Sequence, residues 1–253
     1  QTVPESPSPS PVVETAAADK NDLTVVRSME LQYANNFAVD YCANGCKIIT
    51  DGAGQKFLWV PEGGEAPDDT GDMTVLQAPL TKLGCFSTTH ATLFHAIGAL
   101  DKVSLGTTDK DKWHIEQVAQ QIEDGTTTYV GKNSAPDYEL ISAAAPQIIL
   151  ISANTMHGSD EVLAKLDELG IPYIADSQHL ENHPLGRVEW VKLVGALLDM
   201  EEEADAYFDE EVQRVNAVAE SVAGESEHPT ILQTYTFKGT VYVRNGGDYV
   251  NKM

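Results

Sequence analysis

The stretch from His183 to Val215, HPLGRVEWVKLVGALLDMEEEADAYFDEEVQRV, decides how the rest of the chain is read. Its apolar positions Trp190, Leu193, Val194, Leu197, Leu198, Ala204, Tyr207, Phe208, Val212 and Val215 recur at helical spacing on one face. Continued to about Val222, the pattern predicts one helix of roughly 35 residues, about 50 Å long. That is several times the usual length. A helix rigid from about Leu185 to Val222 contains Gly195 at a cost of about 1 kcal/mol relative to Ala. Strands and helices alternate before it, and the strand signals TILQTY and TVYVR come after it. A helix that joins two α/β units without a flexible linker acts as a strut. It predicts two lobes at a nearly fixed separation, with a ligand-holding cleft between them.

Working back from the strut, loops this short between strands and helices argue for a parallel sheet covered on both faces. The strand TVLQA precedes helix TTHATLFHAIG, and VSLG precedes KWHIEQVAQQIE. TYVG leads to APDYELISAAA, QIILIS to SDEVLAKLDELG, and IPYIAD follows. Ligands on such sheets sit outside the carboxyl ends of the strands. That rule selects four loops: Cys85–Thr89, Gly131–Tyr138, Ser152–Ser159 and Asp176–Arg187. Residues 28 to 60 carry β signals, among them FAVDY and KIIT around Ala43-Asn44-Gly45. Cys42 and Cys46 flank that turn and are either a cross-strand disulfide or two unlinked thiols, with Cys85 the odd one.

The first 22 residues are rich in Pro, Ser and Ala and have no periodicity, so they read as an extended tether. The domain reading is therefore a tether at 1–22, an N-terminal α/β lobe at 23–183, the long helix at 184–224, and the start of a C-terminal lobe at 225–253. The last part, about 25 residues, is too short to close a core of its own, so the chain reads as a fragment with its second lobe truncated. The formal charge is −23, from 39 acidic and 16 basic residues. Nucleic acid and anionic membrane surfaces, which need a basic footprint, are disfavoured as partners. No run of about 18 apolar residues is present to span a bilayer. The sequence has no GxSxG, P-loop, HExxH or GxGxxG after a strand, so no enzyme motif and no cofactor site is found.

With strut, tether and cleft loops in place, the chain resembles the substrate-binding proteins of ABC importers for iron–siderophore complexes and vitamin B12. Four segments carry the resemblance: LQYANNFAVDY, GKNSAPDYELI, HPLGRVEWVKL and GTVYVRNGGDYV. It implies an extracytoplasmic receptor that performs no chemistry, held at the surface through an N-terminal lipid anchor, which takes a ferric siderophore, corrinoid or haem-type ligand and delivers it to a permease. It also implies that Glu139, in Pro136-Asp137-Tyr138-Glu139, docks on that permease. The residues themselves offer a milder role, a carboxylate favoured by the positive end of its helix.

Candidate contacts follow from position. Lys132, Asn133 and Ser134 lie on a loop that opens a helix, suited to an anion, although Ser134 or Asp137 could simply cap it. Thr88 stands at another helix start with the same ambiguity. His157 lies between a strand end and a helix. His179 and His183 precede the strut, and Arg187 opens it. The resemblance also implies that Tyr235 and Arg244 precede a Gly-Gly turn that faces the cleft, with Arg244 suited to an anionic ligand and Tyr242 and Val243 alternating with it as core. Two rivals remain: a receptor for Zn²⁺ or Mn²⁺ held directly by side chains, and a surface interaction module without transport.

Overall fold

A computed structural model describes residues 19–152, 159–226, 230–244, 246 and 250 of the chain. Four strands, β1 (Val25–Ser28), β2 (Ala38–Cys42), β3 (Lys47–Thr50) and β4 (Lys56–Val60), form an antiparallel meander. A fifth, β5 (Thr74–Gln77), adds to it parallel to β4. The alternation in β4 is two-sided: Phe57 and Trp59 enter the main core, while Leu58 and Val60 enter a small one with Cys42 and Cys46. Both cysteines are buried, free thiols.

The second sheet is wholly parallel. In chain order its elements are β6 (Leu83–Cys85), α1 (Thr88–Ala96), β7 (Val103–Gly106), α2 (Glu116–Glu123) and β8 (Thr128–Tyr129). A hairpin of β9 (Gly131–Lys132) and β10 (Ala135–Pro136) follows, then α3 (Tyr138–Ala144), β11 (Ile148–Ser152), α4 (Ser159–Glu168) and β12 (Tyr173–Asp176). The spatial order is β12-β11-β6-β7-β8. Apolar side chains leave both faces, as buried parallel strands require. Leu83, Cys85, Ile148 and Leu150 face the main core, while Leu105, Ile149 and Ile151 face a second core with Ile141, Val162 and Leu166.

Two sequence expectations change here. Thr74–Gln77 was expected to begin the parallel sheet, but it closes the meander, and the three-residue β6 takes the central place. Gly84 explains why so short a strand works. A Cβ there would lie 2.7 Å from Leu105 Cδ1 and 2.8 Å from Ile149 Cγ1, so the neighbouring side chains close over it.

The expected single helix is instead three: α5 (Pro184–Glu189), α6 (Val191–Leu198) and α7 (Glu201–Val222). At 22 residues, α7 is about 33 Å long. The chain turns at Asp199, whose φ of 58° is left-handed, and Met200 N donates to Gly195 O at 2.9 Å. Glu201, Glu202 and Glu203 then occupy the first turn of α7, where acids are favoured. Lys47, only 4% exposed, pins this corner by reaching Ala196 O at 3.0 Å, Asp199 at 2.8 Å and Glu201 at 2.6 Å. Trp190, Leu193, Val194, Leu197, Ala204 and Phe208 share the main core with Phe57, Leu83 and Phe94.

The corner reverses the expectation for Gly195. A Cβ there would sit 2.6 Å from Ala204 Cβ and 2.9 Å from Met200 O, so α6 and α7 meet at this glycine. Gly195→Ala is expected to destabilise by about 1–3 kcal/mol, as overpacking does, despite the better helix propensity of Ala. A urea midpoint no lower than the parent's would show that the two helices do not approach this closely.

Beyond α7, β13 (Thr234–Phe237) and β14 (Thr240–Val243) form a hairpin. Tyr242 and Val243, expected in a core, are 42% and 59% exposed.

Candidate functional site

The carboxyl ends of β6, β7 and β8 open into a cleft of about 330 Å³. Thr88 and the consecutive Lys132, Asn133 and Ser134, more than 40 positions apart in sequence, all line it. Their placement differs in detail from the sequence reading. Lys132, Asn133 and Ser134 form the tip of the β9–β10 hairpin and do not open a helix. Asp137 caps α3, accepting from Glu139 N at 3.0 Å and Leu140 N at 3.1 Å, so Ser134 is not the cap. Ser87 caps α1 by accepting from Thr89 N at 3.2 Å, which leaves Thr88 exposed at the cleft.

The cleft has a wall that the four selected loops omitted. Thr107, Thr108, Asp109 and Lys112 follow β7 and complete the lining. The rule of carboxyl strand ends, applied to VSLG, was enough to find them. Trp113 fixes this loop by donating from Nε1 to Thr108 O at 3.0 Å. Lys112 and Lys132 are exposed, and neither pairs with a carboxylate among the described residues. Two ammonium groups, unpaired among the described residues, thus stand beside hydroxyl and amide groups and the Asp109 carboxylate in a chain of net charge −23.

The remaining candidates are placed elsewhere or not described. His157 lies outside the described residues. His179 sits half-buried in a single helical turn, Gln178–Leu180. His183 caps α5, accepting from Leu185 N through Nδ1 at 3.1 Å, and stacks on Tyr33 at 4.6 Å. Arg187 lines a separate depression of about 340 Å³, with Thr89, Thr92, Gln178 and Tyr207. Tyr235 stacks on Tyr242 at 5.0 Å, and the Arg244 guanidinium lies 5.9 Å from the Tyr235 ring. Among the described residues no three His, Cys, Asp or Glu side chains converge as a metal site would require. Glu139 is exposed on the first turn of α3.

A buried polar frame lies outside the cleft lining. His90 Nε2 of α1 lies 2.8 Å from Asp176 Oδ2 at the end of β12, with both side chains inaccessible. Burial pushes the Asp176 carboxyl up, but His90 and Gln178 outweigh it and hold it below its ordinary value. Two further carboxylates hold the segment 32–36. Glu189 accepts from the backbone N–H groups of Gln32, Tyr33 and Ala34, each at 2.8 Å. Glu181 accepts from Asn35 N at 3.0 Å, Asn36 N at 3.1 Å and Trp190 Nε1 at 3.0 Å. The segments LQYANN and HPLGRVEW, far apart in sequence, are therefore bound to each other.

An uncharacterized lipoprotein of Methanocaldococcus jannaschii is 31% identical over 221 residues, covering 81% of this chain and 51% of the relative. The chain spans about half the length of the relatives it matches. A petrobactin-binding protein of Bacillus subtilis has a similar fold, with a TM-score of 0.53 at 15% identity over 78% of this chain and 59% of that one. So does a siderophore-binding protein solved with two acinetobactin molecules and ferric iron, with a TM-score of 0.50 at 16% identity over 68% and 58%. At such identities the likeness is one of fold. The sequence pattern of the periplasmic binding protein family matches residues 85–253, and the chain belongs to that family.

Proposed function

We propose that the protein is the extracytoplasmic substrate-binding component of an ABC importer and captures an anionic iron–siderophore complex between two lobes. The observation that carries this reading is the pair of unpaired lysines, Lys112 and Lys132, among hydroxyl and amide groups at the carboxyl ends of β6 to β8. The siderophore-binding protein of similar fold, solved with ferric iron, supports the ligand class. The lysines favour an anionic chelate over a corrinoid, which calls for aromatic and amide surface. A receptor for Zn²⁺ or Mn²⁺ gains no support from the described side chains. A lipid anchor at the N-terminus is supported by the M. jannaschii lipoprotein. In this reading α7 leads from the first lobe to the second, where Tyr235 and Arg244 supply contacts from the other side, and His157, His179 and Arg187 border the ligand.

Titration of the whole protein with ferric siderophores, monitored by tryptophan fluorescence, tests the ligand. Trp59 and Trp190 are buried at 3% and 1% exposure, whereas Trp113 adjoins the cleft wall and is expected to give most of the quenching. Saturable quenching by cobalamin, with none by any ferric siderophore, would overturn the assignment.

Glu139 serves the permease and not the ligand. Asp137 already satisfies the helix terminus, which leaves the Glu139 carboxylate exposed for a cationic partner. Glu139→Arg is expected to leave ligand affinity within about twofold and to reduce uptake more than Glu139→Ala does, because like charges then meet. Added salt should narrow the difference. Normal transport by the Arg variant would remove Glu139 from the interface.

A further inference from the structure

The β2–β3 turn holds two thiols that the ligand cleft does not use. We propose that Cys42 and Cys46 are the halves of a disulfide staple that closes this turn and, through it, a clasp on residues 20–24. Tyr41 pairs with Lys47 across the hairpin, and Cys42 N donates to Cys46 O at 2.8 Å, so the two cysteines are directly opposite each other. A bridge needs Cα atoms about 4.4–6.8 Å apart, and directly opposed antiparallel residues, about 4.5–5.5 Å apart, lie within that range. Both side chains face the same small apolar core with Leu58 and Val60. Cys85 lies in the main core beyond the sheet and is not a competing partner.

The turn between the cysteines does structural work. Asn44 Nδ2 donates to Lys20 O at 2.7 Å, Asn44 N to Asp22 O at 3.2 Å, and Ala43 N to Thr24 O at 2.9 Å. The three bonds hold the chain just where it leaves the Pro- and Ser-rich N-terminal sequence. A bridge across the turn would keep this clasp shut when the N-terminus is pulled.

The chemistry is thiol–disulfide exchange with an oxidised dithiol. One thiolate attacks the donor disulfide and releases a donor thiolate. The second thiolate then displaces the remaining donor sulfur, so the two cysteines lose two electrons and two protons and the donor gains them. In the folded, reduced protein both thiols are nearly inaccessible, at 4% and 2% exposure, and burial raises their pKa values. The bridge therefore forms as the hairpin closes, before Leu58, Val60 and Met73 cover the sulfur atoms. An extracytoplasmic site supplies the oxidising surroundings, but the geometry is independent of what the cleft binds.

The test is refolding of the whole protein with oxidised glutathione, followed by denaturation, alkylation and trypsin. Residues 28–47 leave as one peptide containing both Cys42 and Cys46, and residues 83–102 as another containing Cys85. The expected result is a first peptide lighter by two hydrogens and unlabelled, with Cys85 alkylated. Hydrogen exchange at Ala43 and Asn44 should slow by about tenfold relative to the reduced protein. Alkylation of all three cysteines, or a bridge to Cys85, would overturn the proposal. So would a bridged protein whose Ala43 and Asn44 amides exchange as fast as in the reduced form.

Discussion

Glu189→Ala should cost the protein about 3–5 kcal/mol, the range for breaking a buried charged pair by removing one partner. The side chain is fully buried, and its two oxygens accept three backbone N–H groups at 2.8 Å. Alanine leaves Gln32, Tyr33 and Ala34 without that acceptor, and each unsatisfied donor costs about 1–3 kcal/mol before relaxation. It also removes the nearest inward partner of Lys192, 3.9 Å away, although Asp205 at 2.9 Å still holds that ammonium. Against a total stability of about 5–15 kcal/mol this is a large share.

Glu189→Gln separates charge from shape. Oε1 serves Gln32, and Oε2 serves both Tyr33 and Ala34. An amide has only one oxygen, so its NH₂ group must face at least one backbone donor. The Gln variant should therefore fall between the parent and Ala. Urea midpoints at fixed m-value measure the series, and an Ala variant within about 1 kcal/mol of the parent would sink the argument.

This strap also shows what the sequence could and could not disclose. The strands FAVDY, KIIT, KFLWV and QIILIS were legible because side-chain alternation and turn residues act over a few positions. The helix reading failed at Asp199 because its apolar stripe continues smoothly through the corner. Leu197, Ala204 and Phe208 face one core from two separate helices, and that arrangement imitates a single helical face. Two local signals contradicted it, the acid run Glu201–Glu203 typical of a helix start and a glycine at the helix crossing. Strand β6 was missed because Leu83-Gly84-Cys85 is too short to show a period, and its role depends on Leu105 and Ile149 filling the space over Gly84. Glu181 and Glu189 were unreadable as frame residues, since their backbone partners lie about 150 positions away. Thr88, Lys132, Asn133 and Ser134 were selected from sequence because the carboxyl-end rule needs only the loop before a helix or after a strand, although the strand that precedes Thr88 is β6 and not Thr74–Gln77.

The second large effect is expected on binding, at the cleft lysines. Each removed charge that hydrogen-bonds an anionic ligand is expected to cost about 1.5–3 kcal/mol, or about ten- to a hundredfold in Kd. Lys112→Gln and Lys132→Gln test them singly, since Gln keeps a polar side chain of similar reach while removing the charge. Both side chains are exposed and unpaired within the described protein, so the urea midpoint should move by no more than about 0.5 kcal/mol. Lys112→Glu/Lys132→Glu should abolish measurable binding of an anionic ferric siderophore, because two attractions become repulsions within one small cleft. Salt discriminates between causes. If the lysines act by charge, parent affinity falls as ionic strength rises, and the Gln variants show a shallower dependence. A double Gln variant that binds as tightly as the parent, with an unchanged salt dependence, would show that the ligand is held by the hydroxyl and amide groups alone, and the anionic-ligand reading would fall with it.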